Sequence, residues 1–144
     1  MIFHIYTDGG ARGNPGPAAI GVIVLEVDEK TNAEILRNKF GKKIGITTNN
    51  FAEYTAVLEA MVYLSEQTEK LNLSLTKIIF FLDSQLVASQ LAGSFKVKEP
   101  ALKNLFLQIK KHEVFLSCPV YYEYIPREKN SLADREVNLA LDYS

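Results

Sequence analysis

Three acidic residues stand where the surrounding sequence is otherwise apolar. Asp8 ends the apolar run at 2–8, and Asp83 directly follows the run KIIFFL at 77–82. Glu53 falls on the apolar side of the helix that the hydrophobic period predicts around it. Because clustered, buried acids repel one another unless a cation neutralises them, this placement predicts a metal site built from carboxylates.

The chemistry of such a site follows from its ligand atoms. Carboxylate oxygens suit Mg²⁺ or Mn²⁺ rather than the nitrogen and sulfur chemistry of zinc. Two ions about 4 Å apart can activate a water and stabilise the leaving oxygen in phosphodiester displacement. The residues therefore predict phosphoryl transfer with two divalent ions as the reaction class.

Each acid, taken singly, also has a structural explanation. Asp8 could begin a glycine-rich turn, and Asp83 could cap the helix that follows it. Glu53 lies in the first turn of a helix, where a negative charge suits the helix dipole. Asp134 stands three residues after Ser131, the spacing of a capping-box variant. For the individual residues these explanations remain open.

Two other kinds of site have weaker support. The glycines at 10, 13 and 16 are spaced like a nucleotide-binding fingerprint, but such motifs open a helix, whereas this segment leads into a predicted strand. A nucleophilic triad would need a histidine. We expect His4 to be packed in the first strand, and His112, near a helix end, to be solvated or to complement the helix dipole.

The elements that position these residues follow from the hydrophobic periods. The order is βββ-α-β-α-α-β-α, which predicts an α/β fold with a mixed sheet whose first three strands form an antiparallel meander. The segment 10–17 is predicted to be irregular, and KIIFFL is predicted to be a strand buried on both faces. The predicted strands are 2–8, 18–27, 34–46, 77–82 and 119–125, and the predicted helices are 51–67, 84–91, 101–112 and 132–141.

Composition narrows the class of protein. With 144 residues, 47% hydrophobic and 23% charged, residues 1–144 are expected to form a single domain. Cys118 is the sole cysteine, so an internal disulfide and a cysteine-based zinc site are excluded. No apolar stretch is long enough to span a bilayer and no leader follows Met1, so we expect a cytoplasmic protein without membrane contact. A net charge of −1 gives no overall basic field for nucleic acid.

Four segments resemble the signature blocks of the ribonuclease H type 1 family, and the resemblance spans residues 2–141. They are YTDGGARGNPGP (6–17), TTNNFAEYTA (47–56), FLDSQLV (81–87) and IPREKNSLADREVN (125–138). The resemblance implies a ribonuclease H-like fold: a five-stranded mixed sheet of strand order 3-2-1-4-5, the first three strands antiparallel, with helices on both faces. It also implies an endonuclease that hydrolyses the RNA strand of RNA/DNA hybrids and leaves 5′-phosphate and 3′-hydroxyl ends.

The family's site residues can be carried over by position. The catalytic and metal-binding tetrad matches Asp8, Glu53, Asp83 and Asp134. Asn14 and Thr48 match residues that hold the DNA strand or its phosphates, and Asn49 and Asn50 match residues that touch the minor groove. Gly9, Gly10 and Ser84 complete the implied substrate-binding set, the two glycines because bare backbone can approach the RNA. Helix capping remains an alternative for Asn49 and Asn50.

The chain also departs from the family's pattern. Many members carry a histidine in the loop before the last acid, and here that loop reads Pro126-Arg-Glu-Lys-Asn130, which leaves an assisting role to Arg127, to Glu128 or to nothing. The basic handle of bacterial relatives is missing after the second helix, so Lys96, Lys98 and the cluster of Lys39, Lys42 and Lys43 are expected to help grip the substrate. The expected partners are an RNA/DNA hybrid, with double-stranded RNA as a second candidate, and the protein is expected to be a monomer.

Overall fold

The computed structural model describes residues 1–143, which form one five-stranded sheet with helices on both of its faces. The strands are β1 (Ile2–Ala11), β2 (Gly16–Val27), β3 (Glu34–Thr47), β4 (Lys77–Leu82) and β5 (Val120–Tyr124). The helices are α1 (Asn49–Leu71), α2 (Gln85–Leu91), α3 (Pro100–Leu116) and α4 (Ser131–Tyr143), with a 3₁₀ turn at Arg127–Lys129 that the hydrophobic pattern does not predict.

The strand order is β3-β2-β1-β4-β5, as the family resemblance implies. β2 is antiparallel to both β1 and β3, whereas β1 and β4, and β4 and β5, run parallel. In the parallel pair of β1 and β4, Tyr6 lies opposite Phe81. Asp8 and Asp83 each follow two residues later, so the register brings both acids to one edge of the sheet.

The main core lies between the sheet and the layer of α1, α2 and α3. The apolar stripe of α1 meets alternate residues of the three central strands, and the inner stripe of α3 packs beyond it. The largest fully buried side chains of this core include Ile5, Tyr54, Met61, Leu64, Ile78, Phe80, Leu82 and Ile109. This packing fixes α1 against β1 and so fixes the position of Glu53 relative to Asp8.

The opposite face is covered by α4, which crosses β1, β2 and β3. Its backbone approaches the sheet very closely, since a methyl group built on Gly21 would lie 2.2 Å from the carbonyl oxygen of Ala133. A small second core of Ala19, Val137 and Ala140 forms beneath the helix. Asp134, in the first turn of α4, is thereby held over the end of β1 that carries Asp8.

The prediction that β4 is buried on both faces is wrong. Its residues alternate between fully buried and half-buried, and Phe81 on the half-buried side stacks on Tyr6 at 4.7 Å between ring centroids. The physical reason is that α4 is short and lies over β1, β2 and β3, so it does not reach across β4 and β5. Aromatic stacking covers part of the surface that an additional helix would otherwise bury.

The prediction that residues 10–17 are irregular is also wrong in part. β1 continues to Ala11 and β2 begins at Gly16, so only residues 12–15 lie outside the ladder. Ala11 pairs with Ala18, and the N–H of Arg12 donates to the carbonyl oxygen of Pro17 at 2.8 Å. The glycines and prolines therefore shape the tip of a long hairpin rather than a loose loop.

Two helices run further than the hydrophobic stripe predicts. α1 continues for one polar turn and ends at Asn72, which has a left-handed conformation (φ 51°) and donates its N–H to the carbonyl oxygen of Thr68. α3 continues to Leu116, so His112 lies inside the helix, where its Nδ1 contacts Ser65 Oγ at 2.7 Å rather than being solvated. None of the described helices combines the length and hydropathy that crossing a membrane requires.

Candidate active site

Three of the four predicted acids come together at the end of β1. Asp8, Glu53 and Asp83 each place one carboxylate oxygen in a group whose three oxygens lie within 4.8 Å of one another. Asp8 and Glu53 are 7% and 6% exposed, so two of the three charges are buried. The three residues come from the central strand β1, from the first turns of α1 and from the position directly after β4, which are far apart in the sequence.

The electrostatics of this cluster are unfavourable without a cation. Burial, and next the charge of Asp83, raise the pKa of Asp8 from 3.8 to about 7. Burial, followed by the charge of Asp8, raises the pKa of Glu53 well above its usual value. Glu53 Oε1 accepts a hydrogen bond from the N–H of Gly9 at 3.2 Å, while its buried Oε2 has no partner among the described residues. Hard oxygen ligands with an unpartnered buried oxygen fit a divalent cation such as Mg²⁺ or Mn²⁺.

Asp134 lies beside this group rather than inside it. Its carboxylate lines the same cleft, and its proximity contributes, as the smallest of the causes, to the raised pKa of Asp8. Asp134 Oδ2 accepts a hydrogen bond from Asn138 Nδ2 at 3.3 Å within α4. The structure therefore brings all four predicted acids to one place, with three packed tightly and the fourth on the adjoining helix.

The acids open onto a cleft of about 420 Å³, which we call the active-site cleft. Its lining is polar and includes most of the residues predicted to touch substrate. The predicted substrate-binding residues in the lining are Gly9, Gly10, Asn49, Asn50 and Ser84. Arg12, Arg127 and Asn138 also line the cleft. The floor is thus acidic and the walls carry amide and guanidinium donors, an arrangement suited to a phosphodiester held over metal ions.

The glycines at 9 and 10 differ in what surrounds them. A methyl group on Gly9 would lie 2.2 Å from the backbone carbon of Ala52, so the absence of a side chain here lets α1 pack directly on β1. A methyl group on Gly10 would meet only Val137 Cγ1, at 3.9 Å. Internal packing therefore requires glycine at position 9, whereas at position 10 the space next to the backbone opens toward the cleft.

Asn14 and Asn49 join the tip of the β1–β2 hairpin to the start of α1. The N–H of Asn49 donates to Asn14 Oδ1 at 3.0 Å, and the N–H of Ala11 donates to Asn49 Oδ1 at 2.8 Å. We call these two hydrogen bonds the hairpin clamp. Thr48, not Asn49 or Asn50, caps α1, since its Oγ1 accepts from the N–H of Phe51 at 3.2 Å. Asn50 is left exposed beside the cleft.

Ser84 caps α2, and this decides whether Asp83 acts as a helix cap or belongs to the acidic cluster. The Oγ of Ser84 accepts a hydrogen bond from the N–H of Val87 at 3.2 Å. Because the cap is supplied by Ser84, the carboxylate of Asp83 is free to face Asp8 and Glu53. The alternative in which Asp83 serves as the helix cap is therefore wrong.

The two candidate residues in the loop before α4 separate clearly. Among the described residues, Arg127 lines the active-site cleft, whereas Glu128, in the same 3₁₀ turn, is exposed outside the cleft. This loop therefore contributes a permanent positive charge, and not a second acid, to the lining of the cleft.

Asn130 is a site residue that sequence reasoning missed. Its side chain is 1% exposed, and its Nδ2 donates to the carbonyl oxygen of Thr7 at 2.9 Å and to Asp83 Oδ2 at 3.3 Å. In the sequence it is one polar residue within a polar loop, without a hydrophobic period that could indicate burial. Its contacts exist only because the loop folds back over the ends of β1 and β4.

Comparisons with known proteins agree on one family. The family described as "Reverse transcriptase-like" matches residues 6–140. LC11-RNase H1, solved in complex with an RNA/DNA hybrid, is 42% identical with a TM-score of 0.85, covering 97% of this chain and 96% of that one. RNase H1 from the halophilic archaeon Halobacterium salinarum is 32% identical with a TM-score of 0.83, and the match covers 100% of both chains.

A longer relative shows the same segment as part of a larger protein. The bifunctional protein Rv2228c of Mycobacterium tuberculosis is 36% identical over 138 residues, 96% of this chain. The chain spans only 35% of the length of that relative.

Proposed function

Because this chain belongs to the type 1 ribonuclease H family, we propose that it hydrolyses the RNA strand of RNA/DNA hybrids with divalent metal ions. The observation that carries the proposal is the buried group of Asp8, Glu53 and Asp83, with carboxylate oxygens within 4.8 Å of one another. A binding module that does not catalyse would keep a repulsive acidic cluster without using it. The substrate is inferred from the hybrid bound by LC11-RNase H1.

The proposed arrangement uses two Mg²⁺ or Mn²⁺ ions. Asp8, Glu53 and Asp83 would hold one ion, and Asp8 together with Asp134 would hold the second. When bound, two such ions activate a water and stabilise the leaving oxygen of the phosphodiester, which gives 5′-phosphate and 3′-hydroxyl ends. The chain's own contribution is to hold four acids from separate elements around one position.

The walls of the cleft are proposed to orient the hybrid. Asn14 and Thr48 are outside the cleft lining of the described residues and accept hydrogen bonds from N–H groups in the first turn of α1; this helix N-terminus is proposed to hold a phosphate of the DNA strand. Asn49 and Asn50 follow in the first turn of α1 and face the minor groove. Gly10 leaves room for the RNA backbone and its 2′-hydroxyl, and Ser84 lines the cleft beside Asp83.

A single assay tests the function. Labelled RNA/DNA hybrid, double-stranded RNA and double-stranded DNA are each incubated with the protein in Mg²⁺ or Mn²⁺, and in EDTA as the control. We expect metal-dependent fragments from the RNA strand of the hybrid, ending in 3′-hydroxyl and 5′-phosphate groups. Cleavage in EDTA, or no cleavage of the hybrid with either ion, would overturn the proposal. Cleavage of the DNA duplex in preference to the hybrid would instead assign a DNA nuclease on the same fold.

Arg127 is proposed to bind a non-bridging oxygen of the substrate or product phosphate. A guanidinium stays protonated and can pair with a phosphate through two hydrogen bonds, but it cannot exchange protons near neutral pH. We expect Arg127→Ala to lower kcat/KM about tenfold to a hundredfold, since hydrogen bonds to charged groups contribute roughly 1.5–3 kcal/mol.

Lys129→Ala is the matched control for Arg127→Ala. Lys129 is an exposed cation in the same 3₁₀ turn and lies outside the cleft lining among residues 1–143, so its removal changes the net charge equally. Steady-state cleavage of the hybrid by both variants separates a specific contact from a general charge effect. Equal losses in the two variants would show that Arg127 acts only through net charge.

A further inference from the structure

Through its side chain and its main chain, Asn130 connects three elements that carry site acids. Its Nδ2 donates to the carbonyl oxygen of Thr7, the residue before Asp8, and to Asp83 Oδ2. Its main-chain carbonyl oxygen accepts a hydrogen bond from the N–H of Asp134 at 3.1 Å, at the start of α4. One buried residue thus touches the end of β1, the acid that follows β4 and the first turn of α4.

The contact with Thr7 fills a gap in the sheet. The register between β1 and β4 ends at the pair of Tyr6 and Phe81, so the carbonyl oxygen of Thr7 lies beyond the last paired residues of that ladder. A buried carbonyl left unpaired is costly, and Asn130 Nδ2 supplies the missing donor. The same amino group is thereby placed within reach of Asp83.

The orientation of the Asn130 amide follows from its partners. The Thr7 carbonyl oxygen and an ionised Asp83 carboxylate both accept hydrogen bonds and neither can donate one. The group between them must therefore be the amide NH₂, with its two donors, and not the amide oxygen. The amide oxygen of Asn130 is buried and has no partner among the described residues, so Nδ2 rather than Oδ1 anchors the side chain.

We propose that Asn130 is a positioning residue that holds the carboxylate of Asp83 in the orientation needed to bind metal. The inference rests on the proposed function, because it concerns the same metal site. Asp83 follows β4 at a point where its backbone leaves the sheet, and Asn130 is the side chain that ties its Oδ2 to the neighbouring strand end. Hydrogen-bonding partners of metal ligands typically account for about tenfold to a hundredfold in metal affinity.

Mn²⁺ binding without substrate, followed by electron paramagnetic resonance, tests the proposal directly. We expect Asn130→Ala to weaken Mn²⁺ binding about tenfold. Turnover of the hybrid by this variant should recover as Mg²⁺ is raised, while its KM for the hybrid stays unchanged. Ser65→Ala is the matched control, because it removes a side-chain hydrogen bond to His112 twelve residues beyond Glu53 on α1, about 18 Å along the helix axis.

A double-mutant cycle shows whether Asn130 acts through Asp83. In an Asp83→Asn background, Asn130→Ala should cause no further loss of Mn²⁺ affinity. An equal loss in both backgrounds, or unchanged Mn²⁺ binding by Asn130→Ala, would overturn the inference while the proposed function stands. Failure of the wild-type protein to bind Mn²⁺ would overturn the proposed function and this inference together.

The side-chain amide signals of Asn130 give a further test, in which the response to Mg²⁺ is measured on the wild-type protein. The side-chain NH₂ signals of Asn130 in a ¹⁵N-labelled sample should shift on addition of Mg²⁺, because its partner Asp83 binds the ion. They should also exchange faster with solvent in Asp83→Asn, which loses the charged acceptor. Signals that respond to neither change would show that Asn130 is uncoupled from the metal site.

Discussion

Asp8→Asn abolishes cleavage of the hybrid, with an expected loss of at least about a thousandfold in kcat. Asp8 is the acid that neighbours all three others, so an amide in its place removes the shared ligand of the proposed ion pair. Electrostatic stabilisation by bound ions contributes several kcal/mol to such reactions, and about 4 kcal/mol corresponds to a thousandfold in rate. Binding of the hybrid, measured by fluorescence anisotropy, should persist because the walls of the cleft are unchanged.

The stability of Asp8→Asn provides its internal control. In the folded, metal-free protein the pKa of Asp8 is about 7, above its ordinary value of 3.8. The folded state therefore holds this proton more tightly than the unfolded state, and the free energy of unfolding falls as pH rises from about 4 to about 7. In EDTA at pH 8 the variant should be more stable than wild type, by roughly 2–4 kcal/mol at about 1.4 kcal/mol per pKa unit.

Urea denaturation at several pH values measures this difference. The advantage of Asp8→Asn should disappear below about pH 4, where Asp8 is protonated in both states, and should shrink when Mg²⁺ is present. Near-wild-type turnover by the variant would contradict the assignment of Asp8. A variant that is inactive because it is unfolded would be recognised by its lost urea transition and would contradict the expected gain in stability.

Gly9→Ala should destabilise the fold by about 3 kcal/mol or more, at the upper end of the effect of overpacking. The added methyl group would overlap backbone atoms of Ala52, which cannot move unless α1 shifts as a whole. That shift would also move Glu53, whose Oε1 accepts the N–H of Gly9. The free energy of unfolding in urea is the measurement, and wild-type stability of Gly9→Ala would show that α1 adapts without cost.

Gly10→Ala is the matched control for Gly9→Ala, one residue along the same strand. Its methyl group has room, so the variant should be as stable as wild type or slightly more stable, because alanine reduces the freedom of the unfolded chain. Its KM for the hybrid should rise, since the methyl group enters the cleft. An unchanged KM would remove Gly10 from the proposed substrate-binding set.

The elements and the placement of three acids could be predicted because both follow from short-range patterns, whereas the strand order is implied by the family resemblance. The apolar runs at 2–8 and 77–82 locate two strands, and parallel strands meet at the same edge of a sheet. The side of α1 that carries Glu53 follows from the helical period alone. The grouping of Asp8, Glu53 and Asp83 is a consequence of these local rules and of the topology that the family resemblance implies.

The features that were missed depend on contacts across the fold. The half-buried side of β4 depends on how far α4 reaches, and the length of a neighbouring helix leaves no mark on the sequence of a strand. Asn130 is buried only because a loop folds over two strand ends. From the sequence, the glycine at position 9 is explained by close approach of the RNA to the backbone, whereas in the structure α1 approaches the backbone there. Both explanations predict a glycine, so the sequence cannot distinguish them.

The hairpin clamp also bears on how the sequence can change over evolutionary time. Surface hairpin tips usually accept insertions and deletions readily. Here an added or lost residue between Ala11 and Asn14 would pull both hydrogen bonds with Asn49 out of register and would displace the first turn of α1. The tip of this hairpin should therefore keep a constant length among active homologues, and substitutions at Asn14 and Asn49 should occur together.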